Sequence, residues 1–399
     1  LKQSLAPAIE LAEKGFPVDH QFIRFTLMDD RLKKMRQYPA TKSVFLNKGQ
    51  PYQLGEYLKQ PDLAKTLRLL ASRGHDGFYS GEVAEKLVKA VQEAGGIWRM
   101  DDLKNYQVKE RMPLTGTYHQ MKIITAPLPS AGGISLLMML NILEATPLQA
   151  LSKVQWVHYL AEAMRLAYWQ RIQFLGDPEF VDVPQAKLLS KDNTDFLRTF
   201  IKPSVATPSK TLPGKKNKHK EPKNTTHFSI IDRNGNRVSA TLTVNYIFGS
   251  SVIAAGTGVL LNDEMDDFSI KPGVMNVFGL IGSEKNAIQP GTRPLSSMAP
   301  TFLELPGRVA ILGTPGGSRI PSMVLLASLA FHDSLGAISM VSRMRFHHQY
   351  LPDWLVFEPD TLSQTVQKKL KTMGYQLLEL PQYYGDMQAI TWDQTKGFL

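Results

Sequence analysis

Hydrophobic positions recur at helical spacing through the first half of the chain. Leu5, Ile9 and Leu11 follow Ser4 and stop at Gly15, before Phe16-Pro17, which predicts a helix capped by the Ser4 hydroxyl. Val83, Leu87, Val88 and Val91 line one side of a segment from Glu82 to Ala94, and Gly95-Gly96 ends it. Ile134 to Leu143 is almost wholly apolar after Pro129-Ser130-Ala131-Gly132-Gly133, the pattern of a deeply buried helix. A longer segment, Val157 to Phe174, sets Leu160, Ala161, Met164 and Tyr168 on one stripe. Residues 203–224 then break the periodicity. Pro203, Pro208, Pro213, Gly214 and Pro222 stand there among lysines, which reads as a flexible connector with nothing to build a core.

Beyond the connector the period changes to two. His227–Ile231 and Val238–Tyr246 read as strands joined by Asp232-Arg233-Asn234-Gly235-Asn236, and Asn-Gly between two such runs is a strong hairpin signal. Gly258–Leu261, Thr301–Leu305 and Val309–Leu312 are further strand candidates, the last two flanking Pro306-Gly307. Helical spacing returns at about 319–331 and 360–373. The organisation expected is a mostly helical part at 1–202, the connector at 203–224 and a strand-rich part at 225–399, an α+β layered arrangement.

Composition narrows the function. The chain has 399 residues, 43% hydrophobic and 21% charged, enough for a sizeable core. No run reaches the roughly 18 apolar residues of a membrane helix. Without cysteine there is no disulfide, zinc–thiolate site, iron–sulfur cluster or thiol nucleophile. The net charge of +10 is uneven: residues 1–224 hold 33 basic and 22 acidic side chains, residues 225–399 hold 13 and 14. Six lysines lie between Lys210 and Lys223, without arginine or aromatic partners, so this reads as a solvated loop and not a nucleic-acid surface. No basic-then-apolar leader follows Leu1, which suggests a processed product or fragment.

The chain lacks a Gly-x-Ser-x-Gly elbow, a His-Glu-x-x-His pair and a phosphate-binding Gly-x-x-x-x-Gly-Lys-Ser/Thr loop. Gly313-Thr314-Pro315-Gly316-Gly317-Ser318 is glycine-rich, but its proline argues against a nucleotide cradle. His347-His348 are adjacent, point apart on a regular element and have no third ligand at a useful spacing, so a structural role is expected. Neither a metal nor an organic cofactor is implied. One junction stands out: the connector runs directly into Thr225-Thr226. A threonine opening a strand is ordinarily β-propensity. If the Asn224–Thr225 bond were cut, however, Thr225 would carry both a hydroxyl nucleophile and a free α-amino group as its base.

Asn224-Thr225-Thr226-His227-Phe228-Ser229 strongly resembles the processing site of the γ-glutamyltranspeptidases, the glutathione hydrolase family. The likeness extends in order over nearly the whole chain. It includes Pro129-Ser130-Ala131-Gly132-Gly133-Ile134, Leu175-Gly176-Asp177-Pro178-Glu179-Phe180-Val181 and Leu260-Leu261-Asn262-Asp263-Glu264-Met265-Asp266-Asp267-Phe268-Ser269. Arg293-Pro294-Leu295-Ser296-Ser297-Met298-Ala299-Pro300-Thr301, Gly313 to Arg319 and Arg345-Phe346-His347-His348-Gln349 complete it.

The resemblance implies an N-terminal-nucleophile αββα sandwich that cuts itself between Asn224 and Thr225 into a large and a small subunit, which stay together as a heterodimer. It implies that Thr225 is the nucleophile, that Thr243 hydrogen-bonds it, and that Gly316 and Gly317 supply the oxyanion-hole N–H groups. Asn245, Glu264 and Asp267 are expected on the substrate ammonium, Ser296 and Ser297 on its carboxylate, and Phe278 on a lid at 272–287, where many bacterial relatives carry tyrosine. The expected donor is glutathione or another γ-glutamyl compound, the acceptor water, an amino acid or a peptide, and the location periplasmic or extracellular. The family's carboxylate-binding arginine belongs to a region that would precede Leu1, and its last segment would follow Leu399, so an incomplete copy is expected. The alternatives are a related N-terminal-nucleophile acylase, a poly-γ-glutamate hydrolase, or a truncated inactive homologue.

Overall fold

The computed structural model describes residues 1–28, 30–212, 225–269, 271, 282–394 and 397–398. They form two compact units, 1–110 with 246–263 and 111–245 with 264–399. The units cut across the expected cleavage products: residues 246–263 belong with the N-terminal helices and residues 111–212 with the strands.

The first unit is helical. Its helices include Lys2–Lys14, Pro61–Arg73 and Gly81–Glu93. The first begins three residues earlier than expected and Ser4 lies inside it, so Leu1 stands at its N-cap with no side-chain cap. Arg31, 6% exposed, ties the return segment into the unit. Its Nη1 donates to the carbonyls of Ile247 and Gly249, each at 3.0 Å, and to the Ser251 hydroxyl at 3.1 Å.

The second unit is built on a six-stranded antiparallel sheet. In spatial order its strands are Gly397–Phe398, Gln388–Asp393, Arg308–Gly313, Thr301–Leu305, Met121–Thr125 and Leu114–Tyr118. The pair Leu114–Tyr118 and Met121–Thr125 was not foreseen in a part read as mostly helical. Helices Ala131–Leu143, Lys153–Phe174 and Ile320–His332 pack into the main core of this unit. Ala131–Leu143 is buried on every side, which explains its unbroken apolar run.

The hairpin Thr226–Ile231 and Arg237–Leu242 lies on strands Arg308–Gly313 and Gln388–Asp393, so helices, sheet and hairpin make three successive layers. Its faces are reversed from ordinary patterning. His227, Ser229 and Ser239 turn inward: the Ser229 hydroxyl donates to the Ile311 carbonyl and the Ser239 hydroxyl to that of Leu312, both at 3.2 Å. Phe228, Ile230, Val238 and Leu242 are exposed. The strand expected to run to Tyr246 ends at Leu242, and Asn245 has φ +67°.

The connector also differs from expectation. Within its described part, Ala206, Thr207, Ser209 and Leu212 are buried. Asn224 and Phe278 lie outside the described residues, as does most of the expected lid.

One helix start governs a loop used below. The Ala131 N–H donates to the Ser296 carbonyl at 2.9 Å and the Ser130 hydroxyl to the Met298 carbonyl. A Cβ on Gly132 would fall 2.4 Å from the carbonyl oxygens of both Ser297 and Met298. Because backbone cannot yield as a flexible side chain can, Gly132→Ala is expected to cost about 3 kcal/mol, the upper end for overpacking, and to displace Ser296 and Ser297. Chemical denaturation checks this; a loss below about 1 kcal/mol would show that the approach is not rigid.

Candidate active site

Thr225, Thr243, Asn245, Glu264, Asp267, Ser296, Ser297, Gly316 and Gly317 all fall in the second unit. The hairpin register sets the first group. Thr226 pairs with Leu242, so Thr225 and Thr243 stand opposite each other at the open end. The Thr225 hydroxyl donates to the Thr243 hydroxyl at 3.2 Å. The Asn245 N–H donates to that same Thr243 oxygen at 2.9 Å, and Asn245 is 2% exposed. A hydroxyl accepts and donates at once. Thr243, steadied by the Asn245 amide, can therefore orient the Thr225 oxygen.

His227 locks this group to the sheet. Its Nδ1 lies 2.8 Å from the Thr241 hydroxyl and its Nε2 3.1 Å from that of Ser229. The ring occupies the space a side chain at 313 would need: a Cβ on Gly313 would be 2.2 Å from Nδ1. The strand Arg308–Gly313 leads into Gly316 and Gly317, so Thr225 and this glycine pair leave the same end of the packed layers. Gly316 has φ +139° and Gly317 φ +54°, and a Cβ on Gly316 would meet Met323 at 2.4 Å. Only glycine supplies that backbone here. The turn is closed by the Arg319 N–H donating to the Gly316 carbonyl at 3.0 Å.

A second group surrounds the acidic turn. Glu264–Asp267 is a single 3₁₀ turn. Asn286 joins it to the serine loop, its Nδ2 donating to the Asp267 carbonyl at 2.7 Å and its Oδ1 accepting from the Leu295 N–H at 3.0 Å. The Ser296 hydroxyl accepts from the Met298 N–H at 3.1 Å, and Ser297 is 8% exposed. Arg171, 3% exposed, donates to the Ser296 carbonyl at 3.4 Å. Burial pushes its guanidinium down, while Tyr168 and Asp267 beside it push the other way.

His227, Arg171 and Asn286 thus join the site without having been singled out from sequence. The signal for His227 was its polar in-facing register with Ser229. Arg171 sits in a buried helix, and Asn286 lay inside the expected lid. His347 and His348 have other engagements. His347 Nδ1 lies 2.7 Å from the Ser322 hydroxyl and its Nε2 2.8 Å from Gln349 Oε1. His348 Nε2 lies 3.2 Å from the Asp353 carboxylate. Among the described residues no cluster of three or more His, Asp or Glu suits a metal ion.

The gamma-glutamyltranspeptidase family model matches residues 1–399. A glutathione hydrolase proenzyme from Pseudomonas sp. (strain A14) is 45% identical over 94% of this chain and 65% of its own length. One from Escherichia coli (strain K12) is 38% identical over 98% of this chain and 67% of its own. The chain thus spans about two thirds of the length of these relatives. Among solved structures, a cephalosporin acylase from Bacillus halodurans superposes over all of this chain and 71% of its own with a TM-score of 0.83, at 24% identity. A Helicobacter pylori gamma-glutamyltranspeptidase covers 53% of this chain and 61% of its own with a TM-score of 0.50, at 38% identity. The fold is that of the N-terminal-nucleophile hydrolases.

Burial lowers the His227 pKa to about 4, and burial with Arg165 beside it lowers that of His348 to about 4. Unfolded, each would take up its proton near pH 6.5. Between pH 6.5 and 4 the unfolded chain therefore binds more protons, and stability falls as pH drops through that window. The slope is about 1.4 kcal/mol per pH unit for each histidine. His227→Gln should flatten the fall by one histidine's share in denaturant titrations at pH 7, 5.5 and 4.5. Parallel slopes for variant and wild type would refute the assignment.

Proposed function

The chain belongs to the gamma-glutamyltranspeptidase family, and we propose that it is a self-cleaving γ-glutamyl acyltransferase and hydrolase with Thr225 as nucleophile. The observation that carries this reading is the Thr225–Thr243 hydroxyl contact at the open end of the hairpin, buttressed by the Asn245 amide.

In the first step the Thr225 oxygen attacks the Asn224 carbonyl carbon. The C–N bond breaks as an ester forms, and the freed nitrogen becomes the α-amino group of Thr225. Water opens the ester, leaving a carboxylate on Asn224 and restoring the hydroxyl. The new amine then serves as general base. It takes the hydroxyl proton as Thr225 attacks the γ-carbonyl of a γ-glutamyl donor such as glutathione, and it hands that proton to the departing amine. The Gly316 and Gly317 N–H groups face the tetrahedral oxygen. Water then gives glutamate, or the amine of an amino acid or peptide gives a new γ-glutamyl product. The two fragments remain together as a heterodimer.

The donor's head group explains the remaining residues. Its α-ammonium calls for carboxylates, which Asp267 and Glu264 provide with the Asn245 amide oxygen, and its α-carboxylate calls for donors, which Ser296 and Ser297 provide. Asn286 keeps these two subsites at a fixed separation through its two backbone contacts.

Thr225→Ala should abolish both self-cleavage and turnover, Thr225→Ser should keep both at reduced rate, and Thr226→Ala, whose side chain is exposed on the other face, should cleave as wild type. N-terminal sequencing of the smaller fragment reads the outcome; a start other than Thr225 would sink the proposal. Asp267→Asn should still cleave but lose a charge-assisted contact of about 1.5–3 kcal/mol, roughly ten- to hundred-fold in kcat/KM on γ-glutamyl-p-nitroanilide. Unchanged kinetics would remove Asp267 from the ammonium subsite.

A further inference from the structure

Upstream of the proposed cleavage point, the chain crosses a buried ionic cluster that the reaction above does not use. Arg165, 1% exposed, lies between two carboxyl groups, 3.2 Å from Glu162 Oε1 through Nε and paired with Asp353 through Nη1. One guanidinium faces two carboxyls, and both neighbouring histidines favour their neutral forms: burial lowers His158, and burial with Arg165 lowers His348. Burial raises the Asp353 carboxyl, but His348 Nε2 3.2 Å away and the charge of Arg165 overrule it and hold it well below the usual range.

Further donors come from Tyr375, whose hydroxyl donates to Glu162 Oε1 at 2.9 Å, and from Thr207 and Ser209. The Thr207 N–H donates to Glu162 Oε2 at 3.2 Å and the Ser209 N–H to Asp353 Oδ2 at 2.8 Å. Arg165 Nη1 donates to the Ser209 hydroxyl at 2.6 Å. On either side, His158 Nε2 donates to the Lys202 carbonyl at 2.8 Å and the Tyr350 hydroxyl to the Leu212 carbonyl at 3.2 Å. Pulling this segment away would leave the buried Glu162 carboxyl and the half-buried Asp353 carboxyl each one donor short, a costly state for Glu162 above all.

We infer that Arg165, Glu162 and Asp353 form a clamp that holds residues 206–212 as the fixed upstream anchor for self-cleavage and afterwards retains them as the tail of the larger fragment. The inference rests on the proposed cleavage at Asn224–Thr225. Residues 213–224 join this anchor to Thr225; the Asn224 carbonyl carbon is already bonded to the Thr225 nitrogen, so what a fixed Leu212 restricts is the orientation of that peptide against the Thr225 hydroxyl, not the distance between them. Restricting a tethered reactant raises the fraction of time it spends in attack geometry. These are positioning residues, remote in role from substrate.

The test uses the whole chain made by cell-free translation, with cleavage followed on denaturing gels and trypsin cutting after Lys210 followed by mass spectrometry. Wild type should cleave at Thr225 and resist trypsin at Lys210. Asp353→Asn should cleave about ten-fold more slowly, the effect of losing one charge-assisted contact, and be trimmed rapidly at Lys210. The kcat/KM per cleaved molecule should stay within about two-fold, which separates an anchor from general destabilisation. Ser209→Ala leaves every charge in place and should show the same pattern more weakly, so a failure of Asp353→Asn to fold does not end the test. Wild-type cleavage rates in variants trimmed at Lys210, or full resistance at Lys210 in both variants, would overturn the clamp while leaving the nucleophile assignment intact. An uncut wild type would overturn the functional reading instead, and with it the clamp's part in cleavage; resistance at Lys210 would then decide the holding alone.

Discussion

The seat of the His227 ring against Gly313 is the constraint on which the rest of the site depends. It lets two β layers approach through polar groups, and it aligns the end of one with the end of the other. The proposed chemistry depends on that alignment: Thr225 lies two residues before His227, and Gly316 and Gly317 follow three and four residues after Gly313. A larger residue at 313 or a charged imidazole at 227 would part the layers. The neutral form is secured by burial and by hydroxyls on both ring nitrogens, which satisfy either tautomer.

Polar burial recurs with a different purpose in each place. Around Arg171 it holds the two loops that carry the proposed subsites, with the guanidinium near both the Ser296 carbonyl and Asp267. Around Arg165 it holds a strip of backbone, because peptide N–H groups complete the cluster. In neither case does the charge add stability cheaply; a buried charge demands its partners and so specifies where they lie.

Much of the architecture was legible because its signals were local. Glycine stops and apolar runs gave helices such as Gly81–Glu93, Ala131–Leu143 and Ile320–His332 to within a few residues, though not Pro61–Arg73, and Asn234-Gly235 gave the hairpin. What escaped depended on distant contacts. Leu114–Tyr118 contains Gly116, a poor strand residue whose missing side chain makes room for Leu137, 2.6 Å from where a Cβ would sit. Residues 203–212 carry the prolines and lysines of a linker and are held by partners about forty to a hundred and fifty positions away. In the site, Thr225, Asp267 and the serine pair were readable as blocks of sequence, each contiguous. Asn286 and Arg171 were not, since each acts by bridging segments that are neighbours only after folding.

The reversed hairpin carries a consequence for how the layers can be extended. Phe228, Ile230, Val238 and Leu242 form an apolar row on a two-stranded sheet whose inner face is already satisfied by hydroxyl-to-carbonyl bonds. An apolar row on a narrow β ribbon is surface that burial against another layer would stabilise. The outer face of this ribbon, not its inner one, is therefore where a further layer would find apolar surface to pack on.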